Sequence, residues 1–177
     1  PGDLAAITPV ISNATTRTEL VGWVAVSGPG ADNLKPAEIA IYLPDPATSP
    51  ANPQGKTWLA SYTDNGPQDL DPATNSFRFN ICSLPIPATG AKLVVNETAK
   101  NDISAGSSTF SSAVSLPDVP NTLAIASSAG SVTMTWQANG VLQATPSLSP
   151  VTWTNVPGCS PITLPAGSGS LYFRLAQ

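Results

Sequence analysis

Apolar and polar side chains alternate along short stretches of this chain, and turn-forming residues close each stretch. Leu20, Gly22, Val24 and Val26 fall on one side of a run from Glu19 to Ser27, with Trp23 on the other. Ile39, Ile41 and Leu43 repeat the period, as do Phe77, Phe79 and Ile81 with Arg78 and Asn80 between them. A period of two sends successive side chains to opposite faces of a strand, so each run predicts a strand with one buried and one wet face. On this basis strands are expected over Ile7–Ser12, Glu19–Ser27, Glu38–Leu43, Thr57–Thr63, Ser76–Ile81, Ala91–Asn96 and Ser108–Leu116. Proline, at 19 residues, and glycine, at 13, interrupt the chain too often for a long amphipathic helix.

The same pattern continues in shorter strokes after residue 120. Strands are expected over Thr122–Ser127, Ser131–Gln137, Val141–Thr145, Val151–Asn155, Pro161–Leu164 and Leu171–Leu175. Val132, Met134 and Trp136 share one face, which marks Trp136 as core, and Asn139-Gly140 is a hairpin-turn signal between two runs. Between the two sets, Pro117 and Pro120 stiffen a short segment and deny it backbone donors. The fold expected is all-β, with two β-sandwich modules. An immunoglobulin-like sandwich of about seven strands covers 1–116, a linker 117–120, and a smaller sandwich of about six strands 121–177.

Charge sharpens this boundary. All 11 acidic residues lie at or before Asp118, while Arg174 is the only charged side chain beyond it. The first module therefore carries a formal charge of about −5 and the second about +1. Charged residues are only 10 % of the chain and the net charge is −4, which argues against nucleic acid or anionic membranes as partners. No apolar run approaches the roughly 18 residues of a membrane span. The start at Pro1-Gly2-Asp3 reads as a mature chain after removal of an export signal, and a fragment of a longer chain would look the same.

Few residues suit catalysis. There is no histidine, which excludes Ser–His–Asp triads and histidine-ligated metals. No catalytic residue, resident metal or cofactor is expected. Cys82 and Cys159 suit a disulfide in an oxidising compartment, with two buried thiols as the alternative. With one cysteine in each module, the bond would join the modules, or else join two chains. Asp64, Asp69 and Asp71 offer hard oxygen ligands for calcium, although in Asp64-Asn-Gly-Pro they also serve as plain turn residues. Trp23 and Trp58 are candidates for stacking on sugar rings. The stretch containing Leu4, Ile7, Val10 and Ile11 could add to a neighbour's sheet, or form the first strand of its own sandwich.

Two resemblances follow from these residues. Ser131-Val-Thr-Met-Thr-Trp136, Val141-Leu-Gln-Ala-Thr145, Trp153-Thr-Asn-Val156 and Leu171-Tyr-Phe-Arg-Leu175 resemble a small C-terminal β-module of secreted proteins of Verrucomicrobia and related bacteria. Glu19-Leu-Val-Gly-Trp-Val24, Ala37-Glu-Ile-Ala-Ile-Tyr42 and Ser76-Phe-Arg-Phe79 are similar to the immunoglobulin-like domains of bacterial surface proteins. The latter resemblance departs at Asp102–Ser111, which lacks the Asn and Glu of the usual pattern. Both imply export, an extracellular or cell-surface location and no catalysis. The expectation is a structural subunit of a filament, sheath or layer whose partners are copies of itself. A polysaccharide-binding adhesive module is the alternative.

Overall fold

The computed structural model describes residues 6–27, 35–44, 55–71, 76–100, 107–108, 110–167 and 169–177. Its regular elements are all strands. In the first module these are β1 (Ala6–Ile11), β2 (Glu19–Ser27), β3 (Lys35–Pro44), β4 (Lys56–Thr63), β5 (Ser76–Asn80), β6 (Lys92–Lys100), β7 (Ser107–Ser108) and β8 (Val114–Ser115). They make two four-stranded sheets, ordered β5-β2-β1-β7 and β4-β3-β6-β8. Two facing sheets of this kind make the β-sandwich expected from the sequence, with the fourth strand paired to the third rather than lying beside the fifth.

The alternating apolar positions meet between these sheets. Leu20, Phe77 and Phe79 from one sheet pack with Ile39, Ile41, Leu93 and Val95 from the other, all fully buried. Each such side chain stabilises the fold by about 1.5–3 kcal/mol relative to exposure. Gly22 is required where it sits, because a Cβ there would enter the Phe77 ring and the Val10 carbonyl. The missing side chain lets Phe77 lie across β2 and stack on Phe79, with ring centroids 5.7 Å apart.

The expected strand Ser108–Leu116 is instead divided between the sheets. β7 pairs with β1 in parallel, and β8 pairs with β6 antiparallel. Between them the Ser111 amide donates to Val95 O at 2.9 Å and the Ser111 hydroxyl accepts from Val95 N at 3.0 Å. One residue thus occupies both backbone groups of Val95, and its hydroxyl replaces a ladder carbonyl. β6 also runs past the expected end at Asn96, which carries Glu97 to the buried side of the sheet.

The second module contains β9 (Leu123–Ser128), β10 (Ser131–Trp136), β11 (Val141–Thr145), β12 (Thr154–Asn155), β13 (Ile162–Pro165) and β14 (Tyr172–Ala176). These six strands form two three-stranded sheets, β13-β10-β9 and β12-β11-β14. Met134, Trp136, Leu142 and Ile162 make a small core, flanked by half-buried Leu123, Leu164, Phe173 and Leu175. Asn139-Gly140 is not a hairpin turn, since β10 and β11 belong to different sheets and do not pair. The chain crosses there from one sheet to the other. Gly140, at φ +146°, is needed for the crossing, because a Cβ would lie 2.5 Å from Ala176 O. The segment 117–120 lies against the first module: Val119 N donates to Ala88 O, and the Asp118 carboxylate accepts from Gly90 N.

Candidate functional site

The two modules are tied together at one place. Cys82, just after β5, is bonded to Cys159 of the second module, with Cα atoms 5.9 Å apart. The pairing is within one chain. It closes a separation of 77 residues, worth about 4–5 kcal/mol in the chain-entropy picture. Beside it, Gly140 N donates to Cys82 O at 2.9 Å.

Arg17 forms the second tie, and the sequence alone did not mark it. It sits in the turn before β2, a turn held by threonine hydroxyls: Thr15 bonds both backbone groups of Val21, and Thr16 accepts from Glu19 N. Arg17 is 7 % exposed as a residue. Its guanidinium donates to Pro117 O at 2.9 Å, Pro87 O at 2.6 Å, Ala88 O at 2.8 Å and Asn139 Oδ1 at 3.3 Å. Asn139, 1 % exposed, returns the contact by donating to Arg17 O at 2.6 Å and Ile81 O at 2.9 Å. Burial lowers the guanidinium pKa from its ordinary value, and the charge of Asp118 opposes that shift. The carbonyl partners compensate the desolvation that would otherwise make a buried charge costly. A cleft of about 340 Å³ lies beside this junction, lined by Thr16, Arg17, Trp136 and Ser160 among others. Arg17 is the titratable side chain among its described lining residues.

The aspartates named from the sequence lie close together, with Asp64 within electrostatic reach of both Asp69 and Asp71. The Asp69 carboxylate accepts from Asn65 N at 3.0 Å, Asp71 N at 3.0 Å and Arg78 N at 2.8 Å, which makes it the organiser of its own loop. Asp64 is buried, and desolvation first, then the neighbouring Asp69, pushes its pKa up to about 6. Among the described residues no group of three ligating side chains is placed to hold a metal ion. Glu97 joins this region from β6: burial raises its pKa to about 7, with Asp64 adding to the shift, and its Oε2 has no hydrogen-bond partner among the described residues.

The remaining candidates are dispersed. Trp23 is 45 % exposed on β2, and Trp58 is 58 % exposed on β4, with its Nε1 donating to Ser61 Oγ at 3.1 Å. Because β2 and β4 belong to different sheets, the two indoles do not form one platform. Ile7, Val10 and Ile11 lie in β1, which pairs with Val26, Trp23 and Gly22 of its own β2. Leu4 lies outside the described residues. No helix among the described residues is long and apolar enough to cross a membrane. No protein-family model matches this chain, and no curated protein matches it.

Proposed function

We propose that this chain is a non-enzymatic extracellular structural protein, a subunit that assembles with copies of itself into a surface filament, sheath or layer. One observation carries the reading. Of eight exposed large hydrophobic side chains among the described residues, five lie in the second module: Ile125, Leu148, Val151, Leu171 and Tyr172. The same module carries a single charge, Arg174. A lone protein in water ordinarily separates its copies by interspersed charge, and apolar surface without that repulsion favours association. Leu148 and Val151 face each other across an isolated bridge, so both project from one tight turn. The disulfide suits export to an oxidising compartment.

Sedimentation velocity and negative-stain microscopy at increasing concentration test this. Polymers that dissolve on Leu148→Lys with Val151→Lys are expected. A monomer at every concentration overturns the reading. Strand addition by residues 4–11 would require β1 to leave its own sheet, so the exposed apolar side chains of the second module, above all Leu148 and Val151 on their turn, are the better-placed contact. Adhesion to polysaccharide is the second reading, favoured by the outer face of β12-β11-β14, which shares Tyr172 with the exposed apolar set.

A further inference from the structure

The outer face of the β12-β11-β14 sheet carries a row of planar polar side chains. Asn155, Gln143 and Arg174 stand directly opposite one another across the three strands. Arg174 Nε donates to Gln143 Oε1 at 2.8 Å, and Gln143 Nε2 donates to Asn155 Oδ1 at 2.8 Å. The guanidinium also lies over the Trp153 ring, 4.5 Å from its centroid. It is thus held on two sides, by a hydrogen bond and by a cation–π contact.

The direction of this row has a chemical consequence. A guanidinium can only donate, so Gln143 must present its oxygen to Arg174 and its nitrogen to Asn155, which then presents its oxygen in turn. Each amide oxygen uses one of its two lone pairs inside the row. The donors left over are the two Nη groups of Arg174, the second N–H of Gln143 and the Asn155 amide nitrogen, and they outnumber the acceptor capacity that remains on the two amide oxygens. Three strands at the usual spacing stretch this row over about 9–10 Å. The exposed Tyr172 ring, 41 % accessible, lies one position away on the same face, opposite Thr145.

We infer that this face binds an acidic polysaccharide, with Arg174 taking a uronate carboxylate, Gln143 and Asn155 donating to ring hydroxyls, and Tyr172 stacking on a sugar ring. Arg174 is the module's only formal charge, so the complementary ligand is an anion. A guanidinium with two Nη groups available matches a carboxylate in bidentate geometry. An acidic segment of another protein would want an apolar centre to anchor it, and apart from Tyr172 this row has none. Gln143 acts as a positioning residue, since it fixes the guanidinium plane.

This inference deepens the adhesive reading and is independent of self-assembly. Calorimetric titration of the full chain with trigalacturonic acid, and separately with neutral maltotriose and cellotriose, tests it. Binding of the uronate alone is expected, weakened at least about 10-fold by Arg174→Ala and by Tyr172→Ala. Arg174→Lys should restore little, and added salt should weaken binding. These side chains lie on the surface, so the melting temperature of each variant should match the parent. Uronate binding unchanged by Arg174→Ala but lost with Trp58→Ala would overturn the site and keep the adhesive reading. Equal binding of neutral sugars would overturn the carboxylate assignment. No binding of any glycan would overturn the site and the adhesive reading together. Loss of self-association in Arg174→Ala without glycan binding would reassign the face to contact between copies.

Discussion

The two modules obtain their stability in different ways. Of 11 large side chains fully buried among the described residues, nine belong to the first module and only Met134 and Leu142 to the second. The first closes on itself as a sandwich of aromatic and branched aliphatic side chains. The second has β9 almost entirely exposed beyond Leu123, and a module of under 60 residues seldom stands on core burial alone. It is anchored instead by a covalent bond and by Asn139 reaching into the first module. The lesson is that a small sandwich can leave apolar surface available for contacts when its stability is secured at one end.

Breaking the disulfide should disturb this contrast most. With Cys82→Ser and Cys159→Ser together, a loss of about 4–5 kcal/mol is expected. Hydrogen exchange should show β9–β14 losing protection while β2, β3 and β5 retain theirs. Equal loss in both modules would mean that the first depends on the second as well. Asn139→Ala is next, at about 2–4 kcal/mol, because it removes the donors to two buried carbonyls and one acceptor from Arg17. Denaturant unfolding should register it as strongly as a core truncation such as Leu142→Ala.

A smaller effect belongs to the first module alone. Asp64 and Glu97 keep their protons to about pH 6 and about pH 7 in the folded chain, against ordinary values of 3.8 and 4.5. The folded state therefore binds more protons than the unfolded one across that interval. These two groups lose stability as pH rises from about 4 through about 7. Glu97→Gln should raise the melting temperature at pH 8 and change little at pH 5, at about 2–4 °C per kcal/mol. An equal gain at both pH values would contradict ionisation as the cause. Smallest of all, Trp58→Ala should change stability by no more than about 0.5 kcal/mol, since its ring is mostly in solvent. A larger loss would show that this edge strand is covered.

Much of the fold was legible because strand formation here follows side-chain alternation. Glu19–Ser27 and Val141–Thr145 have the expected bounds, and Phe77, Phe79 and Trp136 face inward as their spacing requires. What alternation does not specify is the partner. Asn139-Gly140 has hairpin chemistry, yet the glycine serves a crossing between sheets and the asparagine a contact 122 residues away. Arg17 stands among threonines like any surface arginine, and only the carbonyls gathered from Pro87, Ala88 and Pro117 show it to be interior. Glu97 was hidden for a similar reason, because a carboxyl on a strand reads as a solvent-facing residue. The Asn155–Gln143–Arg174 row depends on the lateral register of three strands, which composition cannot reveal.

Asn139-Gly140 also bears on chemical ageing. Asparagine before glycine loses its amide readily when the glycine nitrogen can attack the side-chain carbonyl and close a succinimide. In the folded chain that nitrogen is hydrogen-bonded to Cys82 O, and the amide is held by Arg17 and Ile81. The lock that joins the modules therefore also shields its own most perishable bond. Once the junction opens for long enough, deamidation would replace the two donors with a carboxylate that cannot return to its place, and an aged molecule would carry the record of having opened.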